Sequence, residues 1–174
     1  MYRSVFHVNL PDFEIQVEQM LDHGLRHYPV AVISSHHPNG TIVSLSPEAR
    51  SEGLYPGLKV STARKMAHGI RLLPYNDILY QRVHHFLYRT MSRFTPIAEP
   101  AHFGRYYLDM TGMRHLYTDP AKAASQIIRH IRDQAALAGH IGISENKLVS
   151  RIVTDAVPDT IHQVPAGDET RFLA

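Results

Sequence analysis

Cysteine is absent from the 174 residues, which excludes disulfides, thiolate metal sites and a thiol nucleophile. Tryptophan is absent as well. No apolar run approaches the ~20 residues needed to cross a bilayer, so no membrane association is expected. The start, Met1 to Val8, meets Asn9-Leu10-Pro11 too early for a secretory signal, which together with the missing cysteines points to the cytoplasm. A Gly-x-Ser-x-Gly nucleophile elbow is missing, and so are internal repeats and low-complexity segments. An excess of one charge is missing too: 18 Lys+Arg against 16 Asp+Glu leave +2 at pH 7. That balance permits contact with nucleic acid without requiring it.

Present instead are 44% hydrophobic and 20% charged residues, a globular composition suited to one domain with an inserted lobe. Val5–Val8 reads as a buried strand. Asp12 is placed to cap a helix in which Phe13, Val17, Met20, Leu21 and Leu25 recur at helical spacing. Val30–Ile33 and Thr41–Leu45 form a hairpin, giving β-α-β-β over the first 45 residues. Residues 46–75 hold only short elements, expected to lie as a small lobe without a core of its own. Asn76 or Asp77 then caps a longer helix, and strands follow at Ile97–Glu99 and Tyr106–Met110. Asp119-Pro120 opens a helix with Ala124, Ile127, Ile131 and Ala135 on one stripe. His140–Ile143 is a strand, Ser144 is placed to cap the next helix, and Ile161–Val164 is a last strand. The expected class is α+β, a mixed sheet with helices returning across one face.

Thirteen histidines invite a metal reading. His23 and His27 sit at i, i+4, but no glutamate follows the first and no third ligand is evident. His36-His37 and His84-His85 are adjacent pairs whose side chains diverge. Ordinary surface or half-buried histidines explain all of them.

Four segments, in order, carry a more specific pattern. They are His7-Val8-Asn9-Leu10-Pro11-Asp12-Phe13 with Val17-Glu18-Gln19; Pro47-Glu48-Ala49-Arg50 with Gly53; Glu99-Pro100 with Tyr107-Leu108-Asp109-Met110-Thr111; and Gly142-Ile143-Ser144-Glu145-Asn146-Lys147 through Asp155. Together they resemble the N-terminal part of the Y-family (DinB/UmuC-type) translesion DNA polymerases. The resemblance implies a ferredoxin-like palm at 1–45 and 76–174, with a fingers lobe inserted at 46–75. The family's thumb and C-terminal DNA-gripping domain find no counterpart, since the chain ends about where a thumb would begin.

The departures from the family pattern bear on chemistry. Two-metal phosphoryl transfer needs carboxylates converging on Mg²⁺ ions ~4 Å apart. The resemblance places those positions at Asn9, Gly104 and Arg105, of which none is a carboxylate. Asn9 offers a neutral oxygen, Gly104 no side chain, and Arg105 a charge that repels cations. The family residue that excludes ribonucleotides corresponds to Glu14, and the tyrosine preceding Glu48 is replaced by Pro47. A basic remnant survives: Arg50, Lys147 and Arg151 match positions that contact the triphosphate, and are expected to meet in one cleft.

The pattern is similar to a catalytically degenerate, ImuB-like branch. It implies a module without cofactor that works in DNA repair by weak, sequence-independent DNA binding and by contact with partner proteins. The alternative is an active Mg²⁺-dependent polymerase whose carboxylates are displaced to Asp12, Glu14, Glu99 and Asp109. On the blander reading of single residues, Asp12 is a helix cap, Asp109 pairs with an arginine, and Arg50, Lys147 and Arg151 are solvated charges.

Overall fold

The computed structural model describes residues 3–174. The elements run β1 (Val5–Asn9), α1 (Phe13–Leu21), β2 (Val30–Ile33), β3 (Ile42–Leu45), α2 (Pro47–Ser51), α3 (Val60–Met66), β4 (Arg71–Pro74) and α4 (Asp77–Met91). They continue as β5 (Ala98–His102), β6 (Arg105–Asp109), α5 (Pro120–Ala135), β7 (His140–Ser144), α6 (Lys147–Ala156), β8 (Ile161–Gln163) and α7 (Glu169–Leu173). The chain forms two compact units, 1–11 with 82–174 and 12–81, and α4 runs from the second into the first. No helix among the described residues is long and apolar enough to cross a membrane.

The larger unit is built on a five-stranded sheet, β5-β6-β1-β7-β8. β1 lies antiparallel to both β6 and β7, while β7 and β8 are parallel, so the sheet is mixed. Strand alternation gives it two unlike faces. Phe6, Val8, Tyr106, Leu108, Ile141 and Ile143 share one face, and all are buried. On this face Tyr106 donates its hydroxyl to the His84 carbonyl of α4 at 3.0 Å, and Phe6 lines a small cavity with Ala123 of α5. His7, Asn9, Arg105, Tyr107 and Gly142 share the other face. There α6 lies flush on the sheet, an approach that only glycine at 142 allows: a Cβ would stand 2.1 Å from the Ser150 carbonyl oxygen. One-faced helix packing thus describes α4 and α5, whereas α6 takes the polar face.

The smaller unit has its own three-stranded sheet, β3-β2-β4, with β2 antiparallel to β3 and parallel to β4. The hairpin of β2 and β3 is present, but these strands do not join the sheet of β1. Val30–Ile33 is entirely buried, so it needs a neighbour on each side, and β4 supplies the second. The short elements after residue 46 do contribute to a core, in which Ala49, Leu54, Val60 and Ala63 pack with Ile33 and Leu45.

Several expected helix ends lie elsewhere. α1 stops at Leu21 because Asp22 turns extended and its carboxylate accepts from the Gly24 backbone, opening a 3₁₀ turn at His23–His27. With three residues per turn, His23 and His27 lie ~120° apart around the axis, which removes the shared face a metal would need. Asn146, rather than Ser144, caps α6: its Oδ1 accepts from the Val149 N–H at 2.9 Å, while Ser144 ends β7. Asn76 and Asp119 cap α4 and α5 as expected.

Candidate functional site

The end of β1 meets the start of β6 with Asn9 opposite Arg105. Gly104 turns the chain into β6 with φ 71°, and its carbonyl accepts from the Leu10 N–H at 2.8 Å. Asn9, Gly104 and Arg105 therefore gather at one corner of the sheet. Their donor set is an amide, a backbone and a guanidinium, which does not fit a divalent cation. Among the described residues, no three or more His, Asp or Glu side chains are grouped to hold a metal ion.

Beside this corner, on the same face, lies a cleft of about 440 Å³ lined by His7, Ala101, His102, Arg105, Tyr107 and Arg151. Arg105 and Arg151 both face Asp155, each at 3.7 Å, too far for a hydrogen bond. The carboxylate anchors the two guanidinium groups without occupying their N–H donors. Behind them His7 is buried, its ring 4.8 Å from that of Tyr107. Its Nδ1 is 2.7 Å from the Thr154 hydroxyl. Thr154 donates its single hydroxyl proton to the Arg151 carbonyl at 2.8 Å, so Nδ1–H must be the donor to Thr154. His7 Nε2 then carries a lone pair, and it has no partner among the described residues. Burial, reinforced by the positive field of Arg105, pushes the His7 pKa down to about 4, so the ring is neutral at physiological pH.

Three of the four candidate carboxylates, Asp12, Glu99 and Asp109, are otherwise engaged. Asp12 occupies the N-cap position of α1 in the left-handed region, φ 49°, but its side chain does not cap. It instead pairs with both terminal nitrogens of Arg50, one of them at 2.9 Å. Glu99 pairs with Lys147, whose ammonium also lies 5.2 Å over the Tyr107 ring. Asp109 accepts from the Thr111 N–H at 3.0 Å rather than from an arginine. Lys147 and Arg151 stand one turn apart on α6, and Arg50 belongs to the other compact unit. Sequence reasoning missed His7, His102, Tyr107 and Asp155. The Arg151/Asp155 spacing of i, i+4 was readable, as was the shared face of His7 and Asn9.

This fold and this strand-end corner define a Y-family-polymerase-like α+β protein. It has a TM-score of 0.88 to Dbh DNA polymerase in an insertion ternary complex, at 20% identity over 98% of this chain and 51% of that one. DinB from Sulfolobus solfataricus gives 0.86, also at 20% identity, covering 98% and 50%. At that identity the likeness establishes the fold, that of Y-family palm and fingers domains. Residues 8–155 match the impB/mucB/samB family model, and the chain belongs to that family. It is 33% identical over 173 residues to DNA polymerase IV of Dehalococcoides mccartyi (strain CBDB1), covering 99% of this chain and 44% of that protein. It is 30% identical over 175 residues to DNA polymerase IV of Halorhodospira halophila, covering 99% and 49%. The chain thus spans less than half the length of these relatives.

Proposed function

We propose that this chain is a non-catalytic Y-family palm-and-fingers module that acts in DNA repair and translesion synthesis through binding DNA or partner proteins. On this reading unit 1–11 with 82–174 is the palm and unit 12–81 the fingers. One observation supports the proposal: Asn9 stands opposite Arg105 at adjoining strand ends, the positions that the resemblance assigns to the family's metal-binding carboxylates. An arginine there repels a cation and attracts a phosphate. The engagement of Asp12 by Arg50, of Glu99 by Lys147 and of Asp109 by Thr111 gives further support, since substitute metal ligands would have to be free. The relatives' name, DNA polymerase IV, and the ternary complex of Dbh supply DNA as the expected partner.

The test pairs primer extension with DNA binding. The chain should incorporate no nucleotide in Mg²⁺ or Mn²⁺, yet bind primer-template DNA with a salt slope of about two, the mark of ~2–3 phosphate contacts. Template-directed incorporation, absent from a mock preparation, would refute the non-catalytic reading.

A further inference from the structure

We infer that the outward face of α4, from Arg82 onward, is a docking surface for an acidic helical segment of a partner protein, with Phe86 as its apolar anchor and Arg82, Arg89 and Arg93 as its cationic rim. The inference deepens the proposed function and rests on it, naming the surface and the chemistry by which a partner protein is held.

The sequence sets this stretch apart. No acidic residue occurs between Asp77 and Glu99, while arginine stands at 82, 89 and 93. On a helix Arg82, His85, Phe86 and Arg89 fall at i, i+3, i+4 and i+7, one stripe about 100° wide. All four are exposed, as is Arg93 in the turn that follows α4. Leu87, Thr90 and Met91, on the opposite side, are buried, so the stripe looks away from the sheet. Phe86 keeps 44% of its surface in solvent in the middle of it.

The arginines of this face are uncommitted. Among the described residues, the side chains of Arg82, Arg89 and Arg93 make no ion pair and no hydrogen bond, unlike Arg50 with Asp12 or Arg132 with Asp133. A lone exposed phenylalanine is ordinary. Flanked by three unpaired guanidinium groups, it has the composition of an interface, where aromatic residues and arginine are enriched.

Charge complementarity selects the occupant. Three positive charges call for carboxylates, and a convex ridge at helical spacing packs along a second helix. A helix with glutamate or aspartate beside a leucine seam meets both demands: the seam covers Phe86 and the carboxylates reach the arginines. A second copy of this chain fails, because α4 against α4 sets arginine on arginine. DNA is the poorer match. α4 packs on the apolar face of the sheet, where Tyr106 donates to the His84 carbonyl, while the cleft of Arg105 and Arg151 opens on the other face. A phosphate backbone would also leave Phe86 unused. One phenylalanine is too little apolar surface to hold a bilayer.

The experiment is a fluorescence anisotropy titration of the whole chain. The probe is a labelled helical peptide of about 18 residues, five turns, made of glutamate and alanine around a leucine seam. Polyglutamate of the same length and an oligothymidylate serve as comparisons. The seam peptide should bind at low salt and weaken as salt screens the arginines. Phe86→Ser should weaken it at least about tenfold, as loss of a central anchor does, and Arg82→Gln with Arg89→Gln about fivefold. Polyglutamate should bind several-fold more weakly and be indifferent to Phe86→Ser. Oligothymidylate affinity should be equal in wild type and variants. Should a variant fold poorly, the wild-type amide resonances of residues 82–93 should still shift with the peptide, while those of Lys147–Ala156 stay in place. No binding of the seam peptide, equal binding of polyglutamate, indifference to Phe86→Ser, or shifts confined to other elements each overturn the inference. Oligothymidylate affinity that falls with the arginine pair would assign the face to nucleic acid and overturn it as well. If the peptide fails while DNA binding persists without primer extension, the proposed function stands on DNA alone. Extension by the wild type brings down the functional reading, whatever the peptide does.

Discussion

Two arginine sites in this molecule contrast sharply in what their neighbours leave them. In unit 12–81, Arg50 meets Asp12 with both terminal nitrogens, so its fork is closed by a carboxylate of the same unit. In the other unit Arg105 and Arg151 share Asp155 at 3.7 Å, and their forks remain open. Positive charge alone therefore does not mark an anion site; the state of its hydrogen-bonding capacity does. Arg50 was expected to be part of a phosphate-binding remnant, yet its nearest partner already imitates the ligand. Arg105 of the open pair stands at the corner where β1 and β6 meet, opposite Asn9.

Moving α6 should have the largest effect on this contrast. Gly142→Val would drive a side chain into the Ser150 carbonyl and Val153, lifting off the helix that carries Arg151. A loss of at least ~3 kcal/mol in urea unfolding is expected, along with weaker binding of primer-template DNA. An unchanged midpoint would mean that α6 does not sit on the sheet as described.

Next in size is the pH dependence set by His7, buried behind the open pair. Its folded pKa of about 4 lies below the unfolded value of 6.5, so the unfolded chain takes up the proton first. The contribution is whole above pH 6.5 and is lost as pH falls from there toward 4. It amounts to about 3 kcal/mol. The difference in stability between wild type and His7→Asn should therefore shrink on acidification through that window. A pH-independent difference would contradict neutral burial.

Asp155→Asn and Asp12→Asn compare the two sites directly, with smaller effects. Removing the anchor charge from the open pair should tighten primer-template DNA binding about fivefold, the value of one nearby charge in a surface cleft. Asp12→Asn should leave that affinity unchanged and lower stability by ~1 kcal/mol, because the Arg50 pair is bidentate but partly exposed. Equal effects on DNA binding would erase the distinction between the sites.

Local chemistry was legible in the sequence. Asp119-Pro120 announced α5, and the strands expected at Val5–Val8 and Tyr106–Met110 match β1 and β6 to within a residue at each end. The family resemblance singled out Asn9, Gly104 and Arg105, and the pairing of β1 with β6 sets Asn9 opposite Arg105. Long-range choices were not legible. Nothing in Val30–Ile33 says that its second neighbour is the distant Arg71–Pro74 rather than Val5–Asn9, since a fully buried strand reads the same in either sheet. Asp12 precedes a helix as a cap should, and only the left-handed backbone there shows its carboxylate turned to Arg50, 38 positions away. His7 appeared as a motif letter; its burial and tautomer depend on Thr154, on a helix 147 residues later.

The central claim, that cation chemistry has given way to anion binding at this corner, meets its most direct test in a Mn²⁺ titration followed by electron paramagnetic resonance. The wild-type chain should leave the free-Mn²⁺ signal undiminished, while the triple variant Asn9→Asp, Gly104→Asp, Arg105→Glu should quench it stoichiometrically. Quenching of one or two equivalents by the wild type, lost when Asp109 is changed to Asn, would contradict the account.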